Sequence, residues 1–208
     1  MVGEGVLHEC LKNTDVEKVL VINRKPCGIN HDKLQEIVHG DFFDLSGISE
    51  YLKGYDACFF CLGVTSINKK EEEYYKLTYT LTIKFAELIL EQNPDTTFCY
   101  ISGAGTDSSE KGKSMWARVK GKTENDLMRM KFKKVYCFRP GYLQPTKGLA
   151  YSHSYYKWIG FLYPLFRFAF PKYVSTLKEL GLAMINSITI GYDKHILEVK
   201  DIVELSKK

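Results

Sequence analysis

The chain has 208 residues, of which 45% are hydrophobic and 26% charged, as expected of one globular domain with a sizeable core. Its net charge of +4 mildly favours anionic ligands and is too small to indicate a nucleic-acid partner. The six cysteines lie mostly in apolar runs, which is typical of buried thiols in a reducing compartment. We therefore predict one cytoplasmic domain over residues 1–208, with an aromatic-rich substrate region from about residue 144 to 208.

Segments with the apolar pattern of strands alternate along the chain with segments of helical periodicity. In chain order, strands are predicted at residues 18–23, 34–39, 56–62, 96–102 and 134–139, with a short strand in "HILEV". Helices are predicted at residues 6–12, 48–53, 70–92, 113–130 and 177–188. This alternation predicts an α/β fold, a Rossmann-like doubly wound parallel sheet with helices on both faces. Ligands bind such sheets at the carboxyl ends of the strands, so the residues after each strand are the candidate site.

Basic residues follow the first predicted strand, because Arg24 and Lys25 come directly after Asn23. In a dinucleotide site this strand end meets the adenosine ribose. An acid there binds the 2′-hydroxyl of NAD, whereas an arginine binds the 2′-phosphate of NADP. The sequence "NRK" holds no acid and therefore favours NADP as the cofactor. The alternative is an ordinary solvated basic turn.

The next two strand ends carry weaker signals. Asp41 is placed to bond an adenine amino group, with Phe42 packed nearby, although the same residues suit an ordinary turn before a helix. Gly63 would let the backbone approach a cofactor closely. Thr65 and Ser66 beside it are equally suited to capping the next helix.

Ser102 ends the strand 96–102, where a substrate carbonyl would lie, and Lys120 follows Trp116 by four residues on one helix face. With these residues the chain resembles the short-chain dehydrogenase/reductase superfamily. The likeness is to its atypical, NAD(P)-binding branch, which includes Tat-interacting-protein-like oxidoreductases. The matching pieces, in order, are "MVGEGVLHECL", "VINRKP", "GDFFDL", "FFCLG", "YISGAG", "VKGKTEN" and "FRPGYL". The resemblance implies further cofactor contacts at Leu62 and Pro140.

The start of the chain matches the middle of the family's phosphate-binding loop. In this branch a strand runs into a loop similar to TGATGMVG, and Met1 and Gly3 match its methionine and third glycine. The first strand and the first two glycines would then lie before Met1, so we expect a sheet with its first strand missing. Without those loop amides, binding of a dinucleotide by a chain that starts at Met1 is expected to be weak.

The resemblance also assigns the chemistry. In this superfamily a tyrosine and a lysine in YxxxK transfer the proton, and the lysine holds the nicotinamide ribose. Lys120 and Ser102 match their family positions, but the tyrosine position is Trp116, whose indole cannot serve as a general acid near neutral pH. Tyr142, which follows a strand end, is a candidate substitute.

The leading hypothesis is an NADP-binding protein of the reductase type, which transfers hydride between NADPH and a small carbonyl compound. The alternative is a dinucleotide-binding protein without catalytic activity that acts through protein partners. A third hypothesis is membrane-surface contact through "YYKWIGFLYPLFRFAFPKY", but we expect these aromatic residues to line the substrate pocket and the C-terminal core instead. The five histidines show no metal-ligand spacing, and we predict no metal site.

Overall fold

A computed structural model of the protein describes residues 1–146, 163, 167 and 169–208. Its strands are β1 (Val19–Asn23), β2 (Leu34–Val38), β3 (Ala57–Phe60), β4 (Thr97–Ile101), β5 (Lys134–Arg139), β6 (Tyr142–Gln144), β7 (Val174–Thr176) and β8 (Ile196–Glu198). Its α-helices are α1 (Val2–Lys12), α2 (Glu71–Tyr75), α3 (Leu81–Gln92), α4 (Met115–Arg129), α5 (Leu177–Thr189) and α6 (Val199–Leu205). A 3₁₀ turn spans Ser49–Leu52, and a π-helical turn at Lys76–Thr80 joins α2 to α3.

The main sheet is parallel and has the order β3-β4-β5-β8. Strands β1 and β2 form a separate parallel pair, and the short strands β6 and β7 form another beyond the carboxyl end of β5. The predicted α/β fold with a parallel sheet flanked by helices is therefore confirmed.

Helices cover both faces of the main sheet, as the alternation of side chains along its central strands requires. On β4, Cys99 belongs to an apolar cluster with α1, α5 and α6, whereas Phe98 and Tyr100 belong to a second cluster with α3 and α4. On β5, Phe138 faces the first cluster and Cys137 the second. The strands are buried on both sides, which explains their nearly continuous apolar sequences.

The sheet is interrupted between β1 and β3. Within the described residues, β1 is hydrogen-bonded only to β2, and β3 only to β4. The two edges are near each other at their amino ends, where the Lys18 ammonium lies 4.6 Å from the centre of the Tyr55 ring. Side chains of both edges share one core, since Leu20 and Cys58 pack against the same apolar cluster. The interruption falls where the sequence predicts a missing first strand.

Several boundaries differ from the prediction. Helix α1 begins at Val2, four residues before the predicted start, and includes two glycines of low helix propensity. The three-residue strands β6 and β7 and the helix α6 are not predicted, because they are too short to show a period. Most of the aromatic stretch proposed to contact a membrane lies outside the described residues.

Candidate functional site

Ser102 and Lys120 meet at the carboxyl end of β4, as the family resemblance implies. The Lys120 ammonium donates hydrogen bonds to the backbone carbonyls of Ser102 and Ile101, the second over 3.4 Å. Lys120 reaches them from α4, which packs along this end of the sheet. Burial lowers the pKa of Lys120 to about 8, and the negative charge of Glu124 partly opposes that shift.

The Ser102 hydroxyl lies 2.5 Å from Glu124 Oε1 and 3.2 Å from the carbonyl oxygen of Phe138. Both of these atoms are acceptors, so the single hydroxyl proton is directed toward the protein. Glu124 is completely buried on α4, one turn after Lys120, and is paired with Arg139 at the end of β5 over 2.5 Å. The sequence analysis does not identify Glu124 or Arg139. The sequence feature that could have identified them is Arg139 itself. An arginine at the end of a buried strand is rarely buried unless an acidic side chain pairs with it.

Trp116 lies against the glycine turn that follows Ser102. Gly103 and Gly105 have φ angles of +150° and +87°, which side chains rarely adopt. A Cβ atom on Gly105 would lie 3.6 Å from the Trp116 ring, and one on Gly103 would lie 4.0 Å from it. The indole therefore packs on this turn, one helical turn before Lys120, in the position where the superfamily has its tyrosine.

Pro140 and Tyr142 follow β5 on the same side of the sheet. Pro140 is buried, and its carbonyl accepts a hydrogen bond of 2.9 Å from the backbone N–H of Ala104. The Tyr142 hydroxyl donates to Gln144 Oε1 over 3.1 Å, on the same face of β6. The structure thus places Pro140 beside the glycine turn and Tyr142 farther along the chain, in the small β6–β7 sheet.

The amino end of α1 is adjacent to the carboxyl end of β3. A Cβ atom on Gly3 would lie 3.4 Å from the Cβ of Cys61, an ordinary contact distance that shows how near the first turn of α1 lies to the end of β3. Among the described residues, Met1 at the N-cap of α1 provides no side-chain hydrogen bond to the first turn. Because the helix dipole is positive at this end, phosphate oxygens are suitable acceptors.

Gly63 and Leu62 follow β3 by a few residues. Gly63 is exposed, and a Cβ atom there would have open space around it, so the protein's own packing does not require a glycine. Leu62 is partly buried against the α3–α4 cluster. Thr65 and Ser66 do not cap the next helix, because α2 begins only at Glu71.

Arg24 and Lys25 are exposed directly after β1. The turn that carries them is fixed by Glu36 on β2. Its carboxylate accepts hydrogen bonds from Asn23 Nδ2 over 2.9 Å and from the backbone N–H of Cys27 over 2.8 Å. These two contacts bracket the basic residues and hold their backbone while the side chains face solvent.

Asp41 and Phe42 form a turn after β2. The Asp41 carboxylate accepts from the backbone N–H of Phe43 over 2.8 Å, and Phe42 is buried in the α3–α4 cluster. The arrangement is that of the ordinary turn considered above, with an exposed aspartate at its corner.

In the described part of the chain, no group of acidic, histidine or cysteine side chains is arranged to hold a metal ion. No helix of that part is long and apolar enough to cross a membrane.

Comparison with solved structures identifies the fold. The short-chain dehydrogenase of Streptomyces avermitilis superposes with a TM-score of 0.65 at 13% identity, over 98% of this chain and 87% of that protein. The ADP-L-glycero-D-manno-heptose-6-epimerase of Helicobacter pylori superposes with a TM-score of 0.65 at 16% identity, over 100% of this chain and 78% of the epimerase. The protein therefore has the Rossmann-like fold of the short-chain dehydrogenases and epimerases. No model of a known protein family matches the chain.

Curated proteins narrow the relationship. The rat protein HTATIP2 is 28% identical over 145 residues, which are 68% of this chain and 58% of the rat protein. The protein "FMP52, mitochondrial" of Debaryomyces hansenii is 27% identical over 164 residues, which are 76% of this chain and 70% of the yeast protein. The resemblance to the Tat-interacting-protein-like branch is confirmed: the chain is a relative of HTATIP2 and FMP52 with a short-chain dehydrogenase/reductase fold.

Proposed function

We propose that the protein binds NADP(H) and uses it to reduce a small carbonyl compound. The observation that carries this proposal is the meeting of Lys120 with Ser102 at the carboxyl end of β4, where ligands bind in open parallel sheets. The amino end of α1 and the exposed glycine after β3 lie at the same edge of the sheet. Together these features line one edge of the sheet with groups that suit a dinucleotide.

Each part of such a ligand has a candidate partner in the described residues. The backbone N–H groups of Val2 and Gly3 in the first turn of α1 would bind a phosphate oxygen, and the Arg24 guanidinium would bind a 2′-phosphate bidentately. The Lys120 ammonium would donate to the ribose hydroxyls. NADPH, when bound, supplies the hydride. Lys25 adds positive charge at the same strand end, and Pro140 and Leu62 would border the ligand on its apolar sides.

A second candidate function is dinucleotide binding without turnover, with a protein partner as the target. Two observations favour it. Trp116 stands where a tyrosine would supply the proton, and an indole N–H does not ionise near neutral pH. The Ser102 hydroxyl already has two protein acceptors. Tyr142 remains the candidate acid if the protein is catalytic.

Calorimetric titration with NADPH and with NADH tests the binding proposal. Each nucleotide is titrated to millimolar concentration. We expect tighter binding of NADPH, and the absence of binding by either nucleotide would refute the proposal. The protein is then incubated with NADPH and a panel of aldehydes, ketones and enones while NADPH absorbance is followed. Loss of absorbance supports the reductase, and binding without loss supports the second candidate.

The cysteines and the curated relatives are the evidence on cellular location. All six cysteines are free thiols, which suits a reducing compartment such as the cytoplasm. One relative is named as a mitochondrial protein, and the cytoplasmic location of this chain stays a prediction. Fractionation of cells that express the protein with a C-terminal tag would test it, and recovery in mitochondria would contradict it.

A further inference from the structure

Glu124 connects the polar groups of the candidate site. It is completely buried, accepts from the Ser102 hydroxyl at 2.5 Å, and accepts from Arg139 Nε at 3.0 Å and Nη2 at 2.5 Å. Arg139 also contacts Glu198 Oε1 at 3.2 Å and the Ser108 hydroxyl at 2.5 Å. Burial of one carboxylate is costly, and the two-pronged contact with Arg139 compensates it.

The hydrogen-bond count determines which group can donate to a ligand. Ser102 has one proton and two protein acceptors, so it has none left for a ligand. A Lys120 ammonium has three protons and two backbone acceptors, which leaves one. A neutral Lys120 amine has only two protons, and both would be used. Of these two residues, therefore, only Lys120 can donate to a ligand, and only while it carries its positive charge.

Glu124 is the charged group that faces Lys120, one helical turn away on α4. Arg139 faces Glu124 from β5, and the largely exposed Glu198 on β8 pairs with Arg139 and not with Lys120. Tyr100 on β4 and Cys137 on β5 also face Glu124, but burial raises the pKa of both side chains, so they stay neutral. Among the described residues, the charge that acts on Lys120 near neutral pH is therefore that of Glu124, which is paired with Arg139.

We propose that Glu124 is a positioning residue. Its carboxylate accepts the hydrogen bond of the Ser102 hydroxyl, and its negative charge favours the ammonium form of Lys120, which has a third proton to donate to the ligand. This inference rests on the proposed function for the identity of the ligand. Ligand binding would then depend on pH through Lys120, and Glu124 would set this dependence without contacting the ligand. Burial alone would lower the pKa of Lys120 further, and Glu124 limits that shift.

NADPH affinity measured by calorimetry across the neutral to alkaline range tests the proposal. The 2′-phosphate titrates near pH 6, below this range, so it does not contribute. In the parent protein we expect the affinity to fall by about ten- to a hundredfold as pH rises through the lysine transition near 8. In Glu124→Gln the fall should occur at lower pH. In Glu198→Gln, which removes the other carboxylate that contacts Arg139, the affinity should fall at the same pH as in the parent protein.

A second measurement keeps the proposal independent of nucleotide binding and of activity. Titration of lysines labelled at the ε carbon, followed by NMR and assigned with Lys120→Arg, reports the Lys120 transition directly. We expect Glu124→Gln to lower its midpoint and Glu124→Asp, which retains the charge, to restore most of it. An unchanged midpoint in a folded Glu124→Gln protein overturns the inference. If Glu124→Gln does not fold, Glu124→Asp decides the matter. A Lys120 midpoint in Glu124→Asp as low as burial alone would produce then overturns the inference. A normal transition without NADPH binding refutes the proposed function alone.

Discussion

Gly121→Ala should destabilise the protein through a backbone clash beside the candidate site. Gly121 directly follows Lys120 on α4, and a Cβ atom there would lie 1.8 Å from the carbonyl oxygen of Asp107 and 3.2 Å from the N–H nitrogen of Ser108. Both atoms are backbone, so the loop would have to withdraw by roughly 1.5 Å to reach ordinary contact. That loop is anchored, because Asp107 donates to the carbonyl of Ala117 over 3.1 Å and Ser108 binds Arg139.

Two opposing effects set the magnitude. Replacing glycine with alanine inside a helix gains about 1 kcal/mol of helix propensity. Overpacking costs about 1–3 kcal/mol, and backbone contacts as short as these place Gly121→Ala at or above the upper end. We expect a net loss of about 2 kcal/mol in the free energy of unfolding, which lowers the melting temperature by about 4–8 °C for a chain of this size.

Urea denaturation followed by circular dichroism, with a thermal melt, measures this loss. The matched control is Gly3→Ala on α1, whose added Cβ would lie 3.4 Å from Cys61 Cβ, an ordinary contact, and which should not reduce stability. If Gly121→Ala is as stable as the parent protein, the loop yields freely and the argument for a rigid site is wrong.

Three further predictions concern the site and the buried thiols. Arg24→Asp should reduce the preference for NADPH over NADH in paired calorimetric titrations, because the aspartate repels a 2′-phosphate; equal affinities in the parent protein would contradict this. Lys120→Ala should weaken NADPH binding by about 1.5–3 kcal/mol at pH 7, since a charged donor is lost, and unchanged affinity would make Lys120 a structural lysine only. The free energy of unfolding should fall as pH rises above 9, because burial raises the pKa of Cys10 and Cys61 to about 12. The unfolded chain then releases thiol protons that the folded chain keeps, so urea midpoints at pH 8 and 10 should differ less in Cys10→Ala than in the parent.

The main strands could be predicted from sequence because they are buried on both faces. The segment from Lys134 to Arg139 is apolar with bulky residues, and β5 has those bounds. The π-helical turn at Lys76–Thr80 is only five residues long and lies within a longer helical segment, so the sequence shows one helix there. The start of α1 was missed because Gly3 and Gly5 disfavour a helix locally. Packing overrides this, since Gly5 lies against Leu177 of α5, where a Cβ atom would come within 3.0 Å.

The candidate site could be predicted only in part. The juxtaposition of Ser102 and Lys120 followed from the resemblance and from the meeting of strand ends. The hydrogen bonds that engage the Ser102 proton did not follow, because Glu124 and Arg139 are 15 residues apart on different elements. A glutamate in "KTEN" is indistinguishable in sequence from a solvated helix residue. Phe42 is buried in the core, and an aromatic residue after a strand suits either a ligand or the core, so its place beside a cofactor stays a prediction.

Because the sheet is interrupted between β1 and β3, the β1–β2 pair should open at a lower free energy than the main sheet. Strand β4 has hydrogen-bonded neighbours on both sides, so its amide protons should exchange with solvent only when the whole chain unfolds. Strands β1 and β3 each have a neighbour on one side within the described residues, and the β1–β2 pair is held to the main sheet by side-chain packing. That pair can therefore open as a unit of its own while β3, β4, β5 and β8 stay folded. Its opening would carry Arg24 away from the other strand ends, so we expect the amide protons of β1 and β2 to exchange with solvent faster than those of β4.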